Sequence, residues 1–487
     1  MIENLTLALI GGVVGVLVAF AGLKMLTAFA AQLTPRADEI RVDGLVLLVS
    51  LTISILAAIV LSFIPSIGNE SSLAAPLAAV GRKLTAGKGR HRLQQTLVVA
   101  QLAVCMVLLT AAGLLVRTLG KLNSVETGVR ADHVLALDAP IESPSIQQPQ
   151  KLGMYERLRD AVRALPGVET VSIASNVPLK STQFQLEVKA EGRPLGNGEA
   201  TPRATFKTAD PEFFKAAGIP ILKGRGIQST DTRGNARVVV LTKSFAERLF
   251  GNDDPIGKRV AWTGEVLQFV PISPDWRTVV GIAGDTRDEG LDTGPTPTMY
   301  QPIMQEEIFS ASLVIRTKGD PALMQPAVLK AMRDVDPKQL IENVATLEQV
   351  RDATVAPRRL NALFIASFGT LAMIIAMVGI AGVLAFSVSA RTAEIGIRMS
   401  LGADAGKVHR MILGEGGSLL VVGLALGAVL AFVASGALRS LLFGVAPHDP
   451  TTLVGVAGVL ALVGVAACWL PAARAARVDP AIALRSE

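Results

Sequence analysis

Six apolar stretches, at 5–31, 45–64, 97–116, 363–388, 419–442 and 453–470, constrain this chain more than any other feature. Each is long enough to cross a ~30 Å hydrocarbon core, which takes roughly 20 helical residues. They fall into two groups of three, separated by a segment of ordinary soluble character. Of the 487 residues, 50% are hydrophobic and only 18% charged, whereas soluble domains carry about a quarter charged residues. The fold class that follows is a polytopic α-helical membrane protein with six transmembrane helices. A large mixed α/β extracytoplasmic domain lies between the third and fourth. The first span is expected to be a membrane helix and not a removable leader, since Glu3 is the only charge ahead of it and the run is too long for a signal-peptide core. Lys24, near its far end, can snorkel to the interface.

Short loops fix the orientation, because Lys and Arg there resist translocation. Arg82, Lys83, Lys88, Arg90 and Arg92, then Arg391, Arg398, Lys407 and Arg410, then Arg474, Arg477 and Arg485 place twelve basic residues on one side; Arg36, Arg41 and Arg439 place three on the other. Both termini are therefore expected in the cytoplasm and 119–357 outside. Within 119–357, apolar spacing predicts a helix over 152–165, stopped by Pro166-Gly167, and another over 321–335, ended by Asp336-Pro337. Short β-rich runs such as 237–241 and 278–282 lie between turn residues.

The two membrane groups share a pattern. Glu3 precedes Gly11 and Gly15, and Glu415 precedes Gly423 and Gly427, both as E-x7-G-x3-G; the following spans end in Phe63-Ile64-Pro65 and Trp469-Leu470-Pro471. A small-xxx-small pair is by itself a common helix-packing face, and the four glycines are assigned that packing role. With the glutamate in register and a proline-terminated partner, the match indicates duplication. The second copy is complete and the first is represented by its last two spans, so the chain is expected to begin in mid-repeat. The resulting division is 1–66 (last two spans of the first repeat), 67–92 (basic cytoplasmic linker), 93–118 (span opening the second repeat), 119–357 (external domain) and 358–487 (three spans and tail).

Between the fourth and fifth spans, 391–403 reads RTAEIGIRMSLGA. Glu394 and Arg398 form an i,i+4 pair in the favourable order, and Gly402 is a natural helix stop. Ile395, Ile397, Met399 and Leu401 are costly to leave in water, which points to a partner surface. This string resembles the signature of the MacB/FtsX family of ABC transporter permeases. So do Pro211-Glu212-Phe213-Phe214 with Gly218-Ile219-Pro220 and Lys223-Gly224-Arg225, Leu249-Phe250-Gly251 with Asp254-Pro255-Ile256-Gly257-Lys258-Arg259, Val280 through Asp285, and the tail from Pro471 to Glu487. The duplication resembles the double-length permeases found in acidobacteria.

The resemblance implies a non-catalytic permease subunit whose coupling segment docks on a separate ABC ATPase dimer. Arg391, Glu394, Gly396, Arg398 and Gly402 would make that contact. ATP would be bound by the partner, and this chain would carry no cofactor. A second permease half or chain is implied, with a periplasmic adaptor and outer-membrane channel in the exporters, in the cell inner membrane. The external segment would be a periplasmic core domain, with a porter-like part at 125–190 and 310–352 and an inserted lobe between. Export of drugs, peptides or lipid-like substrates is the leading expectation; the alternatives are a transmembrane transmitter regulating a cell-wall hydrolase, or lipoprotein release.

Other features carry less. Gly251 to Lys258 misses the phosphate-loop pattern GxxxxGK[ST] by one residue, and Arg259 stands where Ser or Thr is needed. His91, His133, His409 and His448 lack ligand spacing, and Cys105 and Cys468 lie inside apolar runs, so no metal or redox site is expected. A net charge of +6 is too small for a nucleic-acid partner.

Overall fold

The computed structural model describes residues 86–141, 147–180, 184–193, 200–308, 310–390 and 405–475, with isolated positions between 10 and 52. Two compact units emerge, Leu119–Pro357 on one hand and Met1–Thr118 with Arg358–Glu487 on the other.

In chain order, α1 (Ala86–Asn123) is followed by β1 (Val134–Asp138), α2 (Gln148–Arg163), β2 (Val168–Ala174), β3 (Gln185–Ala190) and β4 (Arg203–Ala209). Next come α3 (Phe213–Ala217), β5 (Ile221–Gly224), β6 (Val238–Thr242), α4 (Lys243–Phe250), β7 (Arg259–Thr263) and β8 (Arg277–Ala283). The remainder is β9 (Thr298–Pro302), β10 (Ser312–Thr317), α5 (Pro321–Val335), β11 (Glu342–Thr346), α6 (Leu347–Ala390), α7 (Ala405–Ser435) and α8 (Pro450–Ala475).

Leu119–Pro357 contains two lobes. In the first, β1-α2-β2 and β10-α5-β11 form a split βαββαβ unit with antiparallel order β11-β1-β10-β2. Both faces of β1 and β10 and of most of β2 are buried, whereas β11 is exposed or half-buried before Thr346, and the strand period of two sorts the side chains. Leu135 and Leu137 pack with Tyr155, Leu158 and Val162 of α2 and Val328 and Met332 of α5. Val134 and Ala136 pack with Phe213 and Phe214 at α3 on the other side. The Tyr155 hydroxyl donates to the Ala139 carbonyl (2.8 Å) and accepts from the Ala311 N–H (3.2 Å), pinning α2 to both neighbouring strands.

The second lobe is a ring. Strands run β4-β3-β7-β8-β6-β9, and a parallel β9–β4 pairing, Thr205 opposite Thr298 through Ala209 opposite Pro302, closes it. Closure removes free strand edges. Leu186, Val188, Phe206, Val239, Leu241, Val260, Trp262 and Met299 form its apolar core with Phe245 and Leu249 of α4. β3, expected in the porter-like part, pairs instead with β4 and β7 of the ring, so that boundary falls before residue 185. The stretch 251–258 is a turn between α4 and β7: the Gly257 N–H donates to the Val279 carbonyl (2.8 Å) and the Lys258 ammonium to Asp253 (2.7 Å).

In the other unit, four helices among the described residues are long and apolar enough to cross a membrane: Arg92–Asn123, Leu347–Ser389, Gly406–Leu441 and Pro450–Ala473. The expected spans at 5–31 and 45–64 lie for the most part outside the described residues. Half of the apolar window of α1 is buried, against 28% for α6, 28% for α7 and 18% for α8, so α1 is the most enclosed of the four. Their common core joins Val98 and Leu102 of α1, Ile380 and Leu384 of α6, Ile412 and Leu420 of α7, and Cys468 and Ala472 of α8. Phe368, Val378, Val433, Leu462 and Trp469 face outward, a surface suited to hydrocarbon and costly in water.

Candidate functional site

The expected coupling residues Arg391, Glu394, Gly396, Arg398 and Gly402 lie outside the described residues, and what can be described is how their segment is anchored. It leaves α6 at Ala390 and enters α7 at Ala405. Near one anchor, the Ser387 hydroxyl lies 3.3 Å and 3.2 Å from the two carboxylate oxygens of Glu415 on α7. Val383 and Leu384 on α6 and Val408 and Ile412 on α7 are buried in the shared core. A polar tie and an apolar one thus bind the two helices that bracket the segment.

Glu415 opens the E-x7-G-x3-G pattern, and its two glycines sit at close helix crossings. A Cβ built on Gly423 would come within 2.8 Å of Leu102; one on Gly427 would meet Met106 at 2.7 Å and the Ala103 Cα at 3.0 Å. Both neighbours belong to α1. Gly416, one residue past Glu415, is equally tight: its Cβ would lie 2.5 Å from Cys468 Sγ on α8. For Gly11 and Gly15 no described atom lies within 4 Å of such a Cβ.

At the opposite end of these helices, Arg117 of α1 pairs with Asp449, which also caps α8 by accepting from the Thr452 N–H (2.9 Å) and hydroxyl (2.5 Å). The Thr452 bond, together with Thr451 and Arg117, holds the Asp449 carboxyl well below the usual carboxylate range. His448 stacks on Phe432 with ring centroids 3.9 Å apart and shares a 3.0 Å hydrogen bond with Ser435.

Sequence reasoning passed over the buried charges of the unit Leu119–Pro357. The Lys207 ammonium donates to Asp288 (2.6 Å), both side chains being 3% exposed, and Asp288 accepts also from the Leu179 N–H (2.7 Å) and the Thr286 hydroxyl (3.0 Å). Asp210 accepts from Ser172 (2.6 Å) and the Glu212 N–H (3.1 Å), with Arg159 3.8 Å from its second oxygen. Burial dominates and pushes its pKa up to about 6, the hydrogen bonds offsetting only part of that cost. Their one sequence signal is a charge inside a strand with otherwise buried neighbours, as in RATFKTA. Among the described residues no group of three His, Cys, Asp or Glu side chains is placed to hold a metal ion.

Two family models match in the order these units suggest. The MacB-like periplasmic core domain matches residues 96–347, just over half of the chain. The FtsX-like permease C-terminal domain matches 366–480. The chain belongs to the MacB/FtsX family of permeases. MacB/FtsX relatives include the macrolide export ATP-binding/permease protein MacB of Hahella chejuensis, 29% identical over 291 residues, which cover 57% of this chain and 42% of that protein. MacB of Mannheimia succiniciproducens is 25% identical over 290 residues, 58% of this chain and 43% of its own. The chain thus spans less than half the length of these curated relatives. Among solved structures, the periplasmic region of MacB from Actinobacillus actinomycetemcomitans aligns with a TM-score of 0.32 at 14% identity, covering 48% of this chain and 96% of that one. The extracellular domain of the ABC-type transporter YknZ from Gram-positive bacteria aligns at 0.29 and 14%, covering 44% and 98%.

Proposed function

We propose that this membrane permease is driven by a separate ABC ATPase dimer that grips the segment 391–403 and moves the extracytoplasmic domain, in the service of export. The observation that carries the reading is the pairing of a MacB-like core domain at 96–347 with an FtsX-like permease domain at 366–480. The anchoring of the segment supports it, since a push on 391–404 bears on α6 and α7, which are already tied by Ser387–Glu415 and a common core. Close-packed interiors transmit strain instead of absorbing it. In this reading Glu394 and Arg398 form the polar contact, Gly396 permits close approach, Gly402 ends the helix and Arg391 lies at its base. ATP belongs to the partner, and six spans place both termini in the cytoplasm and residues 119–357 outside the inner membrane.

Substrates would be drugs, peptides or lipid-like molecules handled on the outer face, in line with the macrolide-export proteins among the relatives. A second permease half or chain completes the membrane unit, and an adaptor and outer-membrane channel extend it. The test is reconstitution in nanodiscs with the ATPase: Glu394→Ala/Arg398→Ala should abolish most of the permease-stimulated ATP hydrolysis while the permease remains folded. Undiminished stimulation would refute the coupling assignment. Co-purification of a cell-wall hydrolase with the outer domain, in place of an adaptor or channel, would replace export with signal transmission.

A further inference from the structure

We propose that the outer domain binds a small amphipathic cation, an apolar body carrying an ammonium-type charge, in a 340 Å³ cavity beside β4. Most of the wall surface is aromatic and aliphatic, with the hydroxyl residues Ser175, Thr208 and Ser310 set among it. Phe184 and Phe206 meet edge to face with centroids 6.3 Å apart, Trp262 backs Phe206 at 5.9 Å, and Val270 lines the cavity with them. A cavity of a few hundred cubic ångströms, mostly apolar with a few convergent polar groups, has the make-up of a small-molecule site.

The polar groups specify the charge. Asn176 and Glu307 line the cavity, both half-buried, and among the described residues neither side chain has a hydrogen-bond or ion-pair partner. The contrast with the adjacent carboxylate is informative. Glu306 accepts from Arg277 (2.7 Å) and Arg237 (3.0 Å), and Arg233, which lines a neighbouring cavity together with Glu307, donates to the Glu306 carbonyl (3.1 Å), so none of the three guanidinium groups is bonded to Glu307. A carboxylate at the wall of an apolar cavity favours a positive ligand, and aromatic faces add cation–π attraction. An anion would meet Glu307 with no cationic side chain in the lining, and an uncharged hydrocarbon would leave both Asn176 and Glu307 facing it unsatisfied. Binding at equilibrium needs no ATPase, so this inference stands apart from the export reading.

The experiment uses the full chain in detergent micelles, in a Trp276→Phe/Trp469→Phe background that leaves Trp262 as the sole tryptophan. Trp262 emission is followed during titration with benzyltrimethylammonium, with neutral N,N-dimethylbenzamide as a comparator of similar size. Saturable binding of the cation is expected, at least tenfold tighter than the amide. Glu307→Gln should weaken it at least tenfold, and Phe184→Leu, which keeps bulk but removes the ring, several-fold. Absence of saturable binding, equal affinity for cation and amide, or unchanged affinity in either variant would overturn the proposal.

Discussion

Lys207→Met tests whether a buried charge pair locks the two lobes of Leu119–Pro357 together. Lys207 lies on β4, Asp288 in the connection between β8 and β9, and Leu179 in the loop after β2, so one carboxylate gathers three separate stretches of chain. Leu179 sits at φ +64°, a left-handed conformation that costs a non-glycine residue on the order of 1–3 kcal/mol and is held by its bond to Asp288. Removing the ammonium leaves an uncompensated buried carboxylate, a loss of about 3–5 kcal/mol. At about 1.4 kcal/mol per factor of ten, local opening becomes roughly one hundred to a few thousand times more frequent. Native-state hydrogen exchange reads this directly. The Leu179 amide, the Asp288 amide bonded to Thr296 Oγ1 (3.0 Å) and the Thr296 amide bonded to the Thr286 carbonyl (2.7 Å) should all exchange faster by that factor. Lys207→Met/Asp288→Asn should recover most of the loss, since a neutral amide oxygen still accepts from Leu179 and no buried charge remains. Wild-type protection in the single variant, or a double variant no better than the single, would refute the lock.

Asp210 gives Leu119–Pro357 a pH dependence of definite sign. Its folded pKa of about 6 lies above the ordinary 3.8, so the folded state binds more protons between those values and stability falls as pH rises from about 4 through about 6. The loss is about 3 kcal/mol at 1.36 kcal/mol per unit; denaturant titrations across that range should show it, and Asp210→Asn should flatten it. Gly427→Leu drives a side chain into Met106 and the Ala103 backbone and should dissociate α7 from α1, read as loss of protease resistance in micelles; an assembled, fully resistant variant would contradict the crossing. Asp449→Ala removes the cap of α8 and should cost about 1 kcal/mol, seen as a lower midpoint of thermal unfolding that Asp449→Asn largely restores.

Four of the six expected spans, those at 97–116, 363–388, 419–442 and 453–470, were legible because the bilayer's demand for length and apolarity is written locally. Pro321–Val335 matched its expected bounds because Asp320 caps it, accepting from the Ala322 N–H (2.9 Å), and Pro321 follows in the first turn. The expected 152–165 helix is Gln148–Arg163: its first turn, QPQK, has no apolar period to announce it. Strand pairing was not legible, since β4 meets β9 and β6 meets β8 in parallel across long intervening stretches. Nor were Lys207–Asp288 or the cavity at Glu307, whose members converge only after the ring has closed. The coupling residues were the reverse case, conspicuous as a motif and outside the described residues.

The pairing of β1 with β10 and β11 has a consequence for biogenesis. Val134 aligns with Arg316 and Leu135 with Thr346, so the strand made first in Leu119–Pro357 waits for the strands made last. The split βαββαβ lobe cannot assemble until β11 has been made. Pairings so distant in sequence fold slowly and leave strand edges exposed in the interim. Folding of this lobe therefore waits until the chain through Thr346 has been made.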